Sequence, residues 1–205
     1  RLGLADAAAV VYWPGGSEAV EDAALGRAEM VVAYGGDEAV GALRARTPVT
    51  TRFQGYHHRV SLGVVGRGAL DGEASLRAAA EVAEAVAFFD QRGCVSPQVI
   101  YVQDGGAVAL AEVAERLPRG EPGAREAAAV QQVRGVAEMM AATGSGVELH
   151  QGDAGGWTVV YDPAPAFVPG CVGRTVRVKP VADVSDVPGQ LGSFARHLQT
   201  VGVAG

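Results

Sequence analysis

The chain predicts an α/β fold with a largely parallel sheet, and three observations carry that reading. Short β-branched and aromatic runs alternate with helix-like segments through the first third. Two of those runs end in paired glycines that open a helix, Trp13-Pro14-Gly15-Gly16 and Tyr34-Gly35-Gly36-Asp37. Past Leu70 the alternation continues at larger scale, with alanine-rich stretches of helical length followed by short apolar runs.

Taken in order, Ala8 to Trp13 reads as a buried strand stopped by Pro14-Gly15-Gly16. Ser17 is placed to cap the next helix, with Glu18, Glu21 and Asp22 suiting the positive end of its dipole. Glu29 to Tyr34 is a second strand. Asp37 is expected to cap a helix from Glu38 to Arg44, whose last arginine suits the negative end. The segment Arg52 to Arg59 is assigned no element, and Val60 to Val65 is a third strand. A helix from about Gly72 to Phe89 is apolar on most faces and so expected to be buried. Val99 to Val102 is a strand, Ala107 to Leu117 a helix and Pro118 to Gly123 a loop. A helix over about Ala124 to Thr143 leads to strands near Val147–His150, Trp157–Tyr161 and Thr175–Val178. A last helix is expected from about Gln190 to Gln199.

Composition bounds the function. With 205 residues, 48% of them apolar, the chain has core enough for one large domain or two small ones. A net charge of −6 argues against a general nucleic-acid binder, which depends on clustered Lys and Arg. No apolar run reaches the roughly twenty residues that span a bilayer. No signal peptide is evident, since Asp6 lies close to Arg1 and no cleavage pattern follows. Two cysteines, Cys94 and Cys171, make a disulfide framework unexpected, and CxxC or CxxH spacing is absent, so no metal site is expected. A reducing cytoplasm is the expected compartment.

The residue that carries most chemistry is Cys94, in Phe88-Phe89-Asp90-Gln91-Arg92-Gly93-Cys94-Val95-Ser96-Pro97. A thiol on a glycine-flanked helix-to-strand turn, near an arginine, is placed where a thiolate could be exposed and activated. The competing reading is a small buried packing residue. Cys171, in Pro169-Gly170-Cys171-Val172-Gly173, lacks that helix-to-strand frame and is the weaker nucleophile. Tyr56-His57-His58-Arg59 could bind an anion or move a proton, and equally could be a polar loop. The turns Pro14-Gly15-Gly16 and Gly35-Gly36-Asp37 place side-chain-free backbone before helix N-termini, where phosphate can bind. Neither fits G-x-G-x-x-G, and ordinary strand-to-helix turn chemistry explains either one alone.

These segments together resemble the LuxC-type long-chain acyl-CoA reductases, within the aldehyde dehydrogenase superfamily. The resemblance rests on Phe89 to Gln98 with Tyr101-Val102, on Val11 to Gly16, Val32 to Asp37 and Tyr56 to Ser61, and on Leu198-Gln199-Thr200-Val201-Gly202. It implies an aldehyde-dehydrogenase-like fold, with 1–60 the end of a Rossmann-like NAD(P)-binding domain and 61–205 an incomplete catalytic domain. The boundary is expected near residues 58 to 66. It implies reduction of a long-chain fatty acyl-CoA or other acyl thioester to the aldehyde by NADPH, with Cys94 as nucleophile. Pro14, Gly15, Gly16, Gly35, Gly36 and Asp37 would lie near the cofactor, in a homo-oligomer. Aldehyde-oxidising relatives carry a general-base glutamate where this chain has Gly55-Tyr56-His57-His58-Arg59; the missing carboxylate disfavours hydrolysis of an acyl-enzyme, and His58 is the candidate in its place. The alternatives are a short-chain acylating aldehyde dehydrogenase and a non-catalytic scaffold of the same fold.

The chain begins with Arg1 rather than Met, and the resemblance implies members more than twice as long, with an oxyanion-binding asparagine upstream of Arg1. Loss of one preorganised donor costs on the order of a hundredfold in rate or more. The isolated 205 residues are therefore expected to form little or no aldehyde from acyl-CoA and NADPH in a direct assay. Appreciable aldehyde formation would contradict this.

Overall fold

The computed structural model describes residues 7–104, 119–152 and 156–205. The helix expected over Ala107 to Leu117 lies outside them. The chain divides into two compact units, 1–58 and 59–205.

In the first unit, β1 (Met30–Tyr34) and β2 (Arg52–Tyr56) form a parallel pair. Tyr34 and Tyr56 are register partners, and their rings stack at 4.5 Å with planes 5° apart. Helix α1 (Glu18–Leu25) precedes β1, and α2 (Asp37–Arg46) crosses from β1 to β2. Arg46 closes α2 and reaches Glu21 and Asp22 of α1, joining the two helices. Gly55 admits close packing of α2, since a Cβ there would stand 2.7 Å from Val40 Cγ1. Three expectations need correction here. Residues 8–13 form no strand: they pair with nothing among the described residues, and Val10, Val11 and Tyr12 are exposed. Apolar, β-prone sequence makes a strand only where a neighbour supplies the ladder. Ser17 occupies the N-cap of α1 without a capping side-chain bond. Asp37 is the first helical residue rather than the cap; Gly36 is the cap, and the Asp37 carboxylate accepts the His58 backbone N–H at 2.9 Å.

The second unit is built on a six-stranded sheet. Its strands are β3 (Val60–Val65), β4 (Val99–Gln103), β5 (Glu148–Gln151), β6 (Thr158–Tyr161), β7 (Thr175–Val181) and β8 (Leu198–Ala204), in the order β5-β6-β7-β4-β3-β8. All neighbours are parallel except β5 and β6. Every residue of β3 and β4 is buried, as a central parallel strand covered on both faces requires. Helix α3 (Gly72–Ala87) connects β3 to β4 and packs over Val65, Ile100, Val102, Val176 and Val178. The opposite face is covered by α5 (Val187–Gln190) with Phe167 and Phe194, and near β5 and β6 by α4 (Ala124–Ala142).

Two helices depart from expectation. Among α3 residues, only the stripe Ala78, Ala79, Ala83 and Val86 is buried, and Leu76 is exposed. Alanine makes a helix look apolar all round without requiring burial, so the composition overstated its cover. The last helix, expected to Gln199, ends far earlier. Gly192 at φ +51° breaks it, a 3₁₀ segment follows to His197, and Leu198 onward joins β3 as the edge strand β8.

A charged pair lies in the core. Lys179 on β7 is fully buried, and its ammonium donates to Asp162 Oδ2 at 2.7 Å and to the Ala164 carbonyl at 2.6 Å. Burial pulls the lysine below its ordinary range, and the Asp162 contact opposes this. Neighbouring Tyr101 donates to the Pro165 carbonyl at 3.0 Å, and burial, helped by the Asp162 charge, pushes its phenol up to about 12. Removing one partner of a buried pair strands the other charge, at about 3–5 kcal/mol. Asp162→Asn should therefore lower unfolding free energy by about that amount in urea titration. Lys179→Met should cost less, because Asp162 keeps the Ala164 N–H and Arg177 at 3.7 Å.

Candidate active site

Helix α3 ends at Ala87, and the chain then turns through three consecutive non-glycine residues with left-handed backbone: Phe89 (φ 50°), Asp90 (φ 51°) and Gln91 (φ 63°). That conformation costs roughly 1–2 kcal/mol per residue, so it persists only where contacts hold it. Gln91 is the principal hold. Its side chain is buried, Nε2 donates to the carbonyls of Pro97 and Thr175 at 2.8 Å each, and Oε1 accepts the Thr175 N–H at 2.8 Å. The amide thereby ties the turn to the far side of its own loop and to β7. Asp90 adds a second tie, accepting from Arg174 Nε at 2.8 Å through its carboxylate and from the Gly173 N–H at 3.3 Å through its carbonyl. Arg119 and Arg92 both reach Glu126 at the start of α4, which anchors the outer side of the turn.

The turn delivers Cys94 to the ends where β3, β4 and β8 begin. Cys94 is exposed, so the alternative of a buried packing cysteine is excluded. Its carbonyl accepts Ser61 Oγ at 2.7 Å, its sulfur accepts Gln199 Nε2 at 3.1 Å, and the Ser61 carbonyl accepts the Gln98 N–H at 3.0 Å. The thiol is thus accessible while its main chain and sulfur are both held.

Beside this loop runs an apolar groove of about 280 Å³ between α3 and the β3–β8 pair. Val95 and Pro97, just after the cysteine, line one end. Gly63 and Gly202 are register partners on its floor, and a Cβ at Gly202 would meet nothing within 4 Å. Ala78 and Ala85 leave the helix wall low, with Glu81 the charged group among the lining residues.

The other expected site residues lie elsewhere. Cys171 is half-buried in the β6–β7 connection, next to Gly170, whose N–H donates to Gln98 Oε1 at 3.2 Å. His58 is the last residue of the first unit, and beside it His57 Nδ1 stands 3.6 Å from Asp37 Oδ1. Pro14, Gly15 and Gly16 precede α1, with Gly16 at φ +83°. A Cβ on Gly15, Gly16 or Gly36 would meet nothing within 4 Å, so both turns leave room for a bulky group. The Gly35 N–H is already spent on the Tyr56 carbonyl. Helix α2 opens with Asp37 and Glu38, a pair of carboxylates that suits ribose hydroxyls better than phosphate at that end. Sequence reasoning missed Gln91, Ser61 and Gln199 as site residues; each is a neutral polar side chain whose role depends on a partner distant in the sequence or on the loop's closure.

Comparison with known proteins identifies the family and the fold. The family model described as Acyl-CoA reductase (LuxC) matches residues 2–205. The long-chain acyl-protein thioester reductase of Aliivibrio fischeri is 29% identical over 187 residues, covering 87% of this chain and 37% of that protein. Long-chain acyl-protein thioester reductase 2 of Photobacterium leiognathi is 26% identical over 188 residues, with the same coverage. The chain therefore spans a little over a third of these relatives' length. Among solved structures, NADP-dependent glyceraldehyde-3-phosphate dehydrogenase from Bacillus halodurans, complexed with NADP, superposes at TM-score 0.69 over 98% of this chain and 50% of its own, at 18% identity. An NAD-dependent benzaldehyde dehydrogenase from Corynebacterium glutamicum superposes at 0.66 over 92% of this chain and 50% of its own, at 13% identity. These likenesses establish an aldehyde-dehydrogenase-like fold, and the match across residues 2–205 places the chain in the acyl-CoA reductase (LuxC) family.

Proposed function

We propose that this chain carries the nucleophile-bearing part of a long-chain acyl-thioester reductase, with Cys94 as the nucleophile. The observation that carries the reading is an exposed thiol, fixed through its carbonyl by Ser61 and at its sulfur by Gln199, on a turn locked by buried Gln91. The Cys94 thiolate attacks the carbonyl carbon of a fatty acyl-CoA or acyl-protein thioester. The carbon–sulfur bond to the incoming carrier breaks, the carrier leaves as a thiolate that takes up a proton, and the acyl group remains on Cys94. A thiolate suits both halves of the sequence because it attacks well and also leaves well. When bound, NADPH supplies the hydride that reduces this acyl group to the aldehyde. Pro14, Gly15, Gly16, Gly35, Gly36 and Asp37 are the residues proposed to hold that cofactor in the first unit, which would act as the end of the cofactor domain. Asp37 and Glu38 at the start of α2 would receive ribose hydroxyls rather than a phosphate. His58 is retained as the proposed proton-handling group.

The name of the Aliivibrio relative supports an acyl-protein thioester as well as acyl-CoA as substrate. The apolar groove that starts at Val95 and Pro97 supports a long hydrocarbon chain over a short polar one, because a methylene chain leaving the Cys94 thioester could be buried there.

Incubation with a long-chain acyl-CoA, followed by peptide mass spectrometry, should find an acyl adduct on Cys94, absent from Cys94→Ala. An adduct on Cys171 alone, or on neither cysteine, would sink the reading. A second outcome concerns chain length. A Cβ on Gly202 would stand in open space, so Gly202→Leu should narrow the groove floor, and adduct formation with long acyl-CoA should fall about tenfold while a short acyl-CoA reacts as before. Equal losses for both lengths would remove the groove from the account.

A further inference from the structure

We propose that Gln199 is a catalytic residue, whose carboxamide N–H donates to the Cys94 sulfur and steadies the negative charge it carries as it attacks and again when it is expelled at the end. This deepens the proposed function and rests on Cys94 being its nucleophile.

Two independent features of the edge strand point to it. The first is register. Leu198 pairs with Val60 and Thr200 pairs with Ser61, so Gln199 is an extra residue with no opposite number on β3. Such a bulge bends the strand and re-aims one side chain out of the two-faced alternation, a device found next to active sites. Beyond it, Thr200, Gly202 and Ala204 line the groove on the α3 side, Val201 lines the opposite cavity, and Val203 borders both. The second feature is where the freed side chain goes. Its Nε2 lies 3.1 Å from Cys94 Sγ. The bulge falls at Ser61, the residue whose hydroxyl holds the Cys94 carbonyl at 2.7 Å. One rung of the β3–β8 ladder therefore controls both the main chain and the sulfur of the same cysteine.

The chemistry suits a neutral donor. A hydrogen bond to a thiolate favours the charged form over the thiol. A primary amide supplies that bond without the permanent ion pair that would shield the nucleophile behind a cation. In the second half of the reaction, the carbon–sulfur bond of the reduced adduct breaks with its electron pair staying on Cys94. The aldehyde carbonyl forms, and the same N–H receives the returning negative charge. Among the described residues, the charged groups around the loop include Asp90, Arg92, Arg119, Arg174 and Glu126 beside the turn, Glu81 and Glu84 of α3 near Val95, and His197 two residues before Gln199. All stay in place when only residue 199 is changed.

The test is the pH dependence of iodoacetamide alkylation, followed separately at Cys94 and Cys171 by peptide mass spectrometry in the full 205-residue chain. For Gln199→Ala the Cys94 profile should move to higher pH by about one unit, a tenfold slower reaction at neutral pH, since one unit is a tenfold change in thiolate. Gln199→Glu should move it further, because a carboxylate opposes a neighbouring thiolate. Gln199→Asn should fall between wild type and alanine, and the Cys171 profile should not move in any variant. A merely structural role would change the Cys94 rate by one factor at every pH and leave the midpoint alone. Superimposable Cys94 midpoints for wild type, alanine and glutamate variants would overturn the proposal. Failure of the underlying reading would be separate: wild-type Cys94 would then take up no acyl group from acyl-CoA, whatever its alkylation profile.

Discussion

The candidate site depends on one buried carboxamide. Gln91 sits in a backbone conformation that disfavours any residue with a side chain, and three hydrogen bonds at 2.8 Å oblige it to stay there. Breaking them would leave the Pro97 and Thr175 carbonyls and the Thr175 N–H without their partner in a water-poor place, which costs more than the bonds gain. The strained turn and the satisfied amide are thus one object. Its result is that Cys94 leaves the end of α3 exposed, while Gln91 three residues before it and Ser96 two residues after it are buried.

Much of the fold was legible because its central strands are buried on both faces. Val60–Val65 and Val99–Gln103 read as continuous apolar runs, which is what a covered parallel sheet demands of sequence. The failures have physical causes. Arg52–Tyr56 carries an arginine, a glutamine and a glycine, yet forms β2, because its partner β1 supplies the ladder that its own composition does not advertise. Ala8–Trp13 shows the converse, good strand composition without a partner among the described residues. The tail was misread because Gln190–His197 is helical in character while Leu198–Ala204 holds only two valines among small residues. Those small residues are what leave the groove beside α3 open.

The site was legible at its sulfur and obscure around it. Cys94 stood out by its setting between helix, glycine and strand. Ser61 and Gln199 carried no local sign, because each acts across the sheet on a residue 33 or 105 positions away. Had the edge strand been recognised, the length of the run Leu198–Ala204 against Val60–Val65 would have exposed the extra residue: seven positions face six. An unmatched polar residue at that place is the one sequence signal that could have pointed to Gln199.

The two ties on Cys94 do different work, and together they reconcile a firm turn with a mobile charge. Ser61 holds a carbonyl that takes no part in bond making in the proposed reaction, so its bond would persist unchanged through acylation and reduction. Gln199 holds the atom whose charge would appear and disappear in the proposed reaction, so its bond would be strongest to the thiolate and weakest once sulfur is bound to carbon. An interaction of the first kind fixes position, and one of the second kind lowers the energy of the charged states at both ends of the path. Because β8 delivers both the bulged glutamine and the glycine floor of the groove, the proposed sulfur activation and acyl accommodation would share one edge strand, and a shift of its register would disturb both at once.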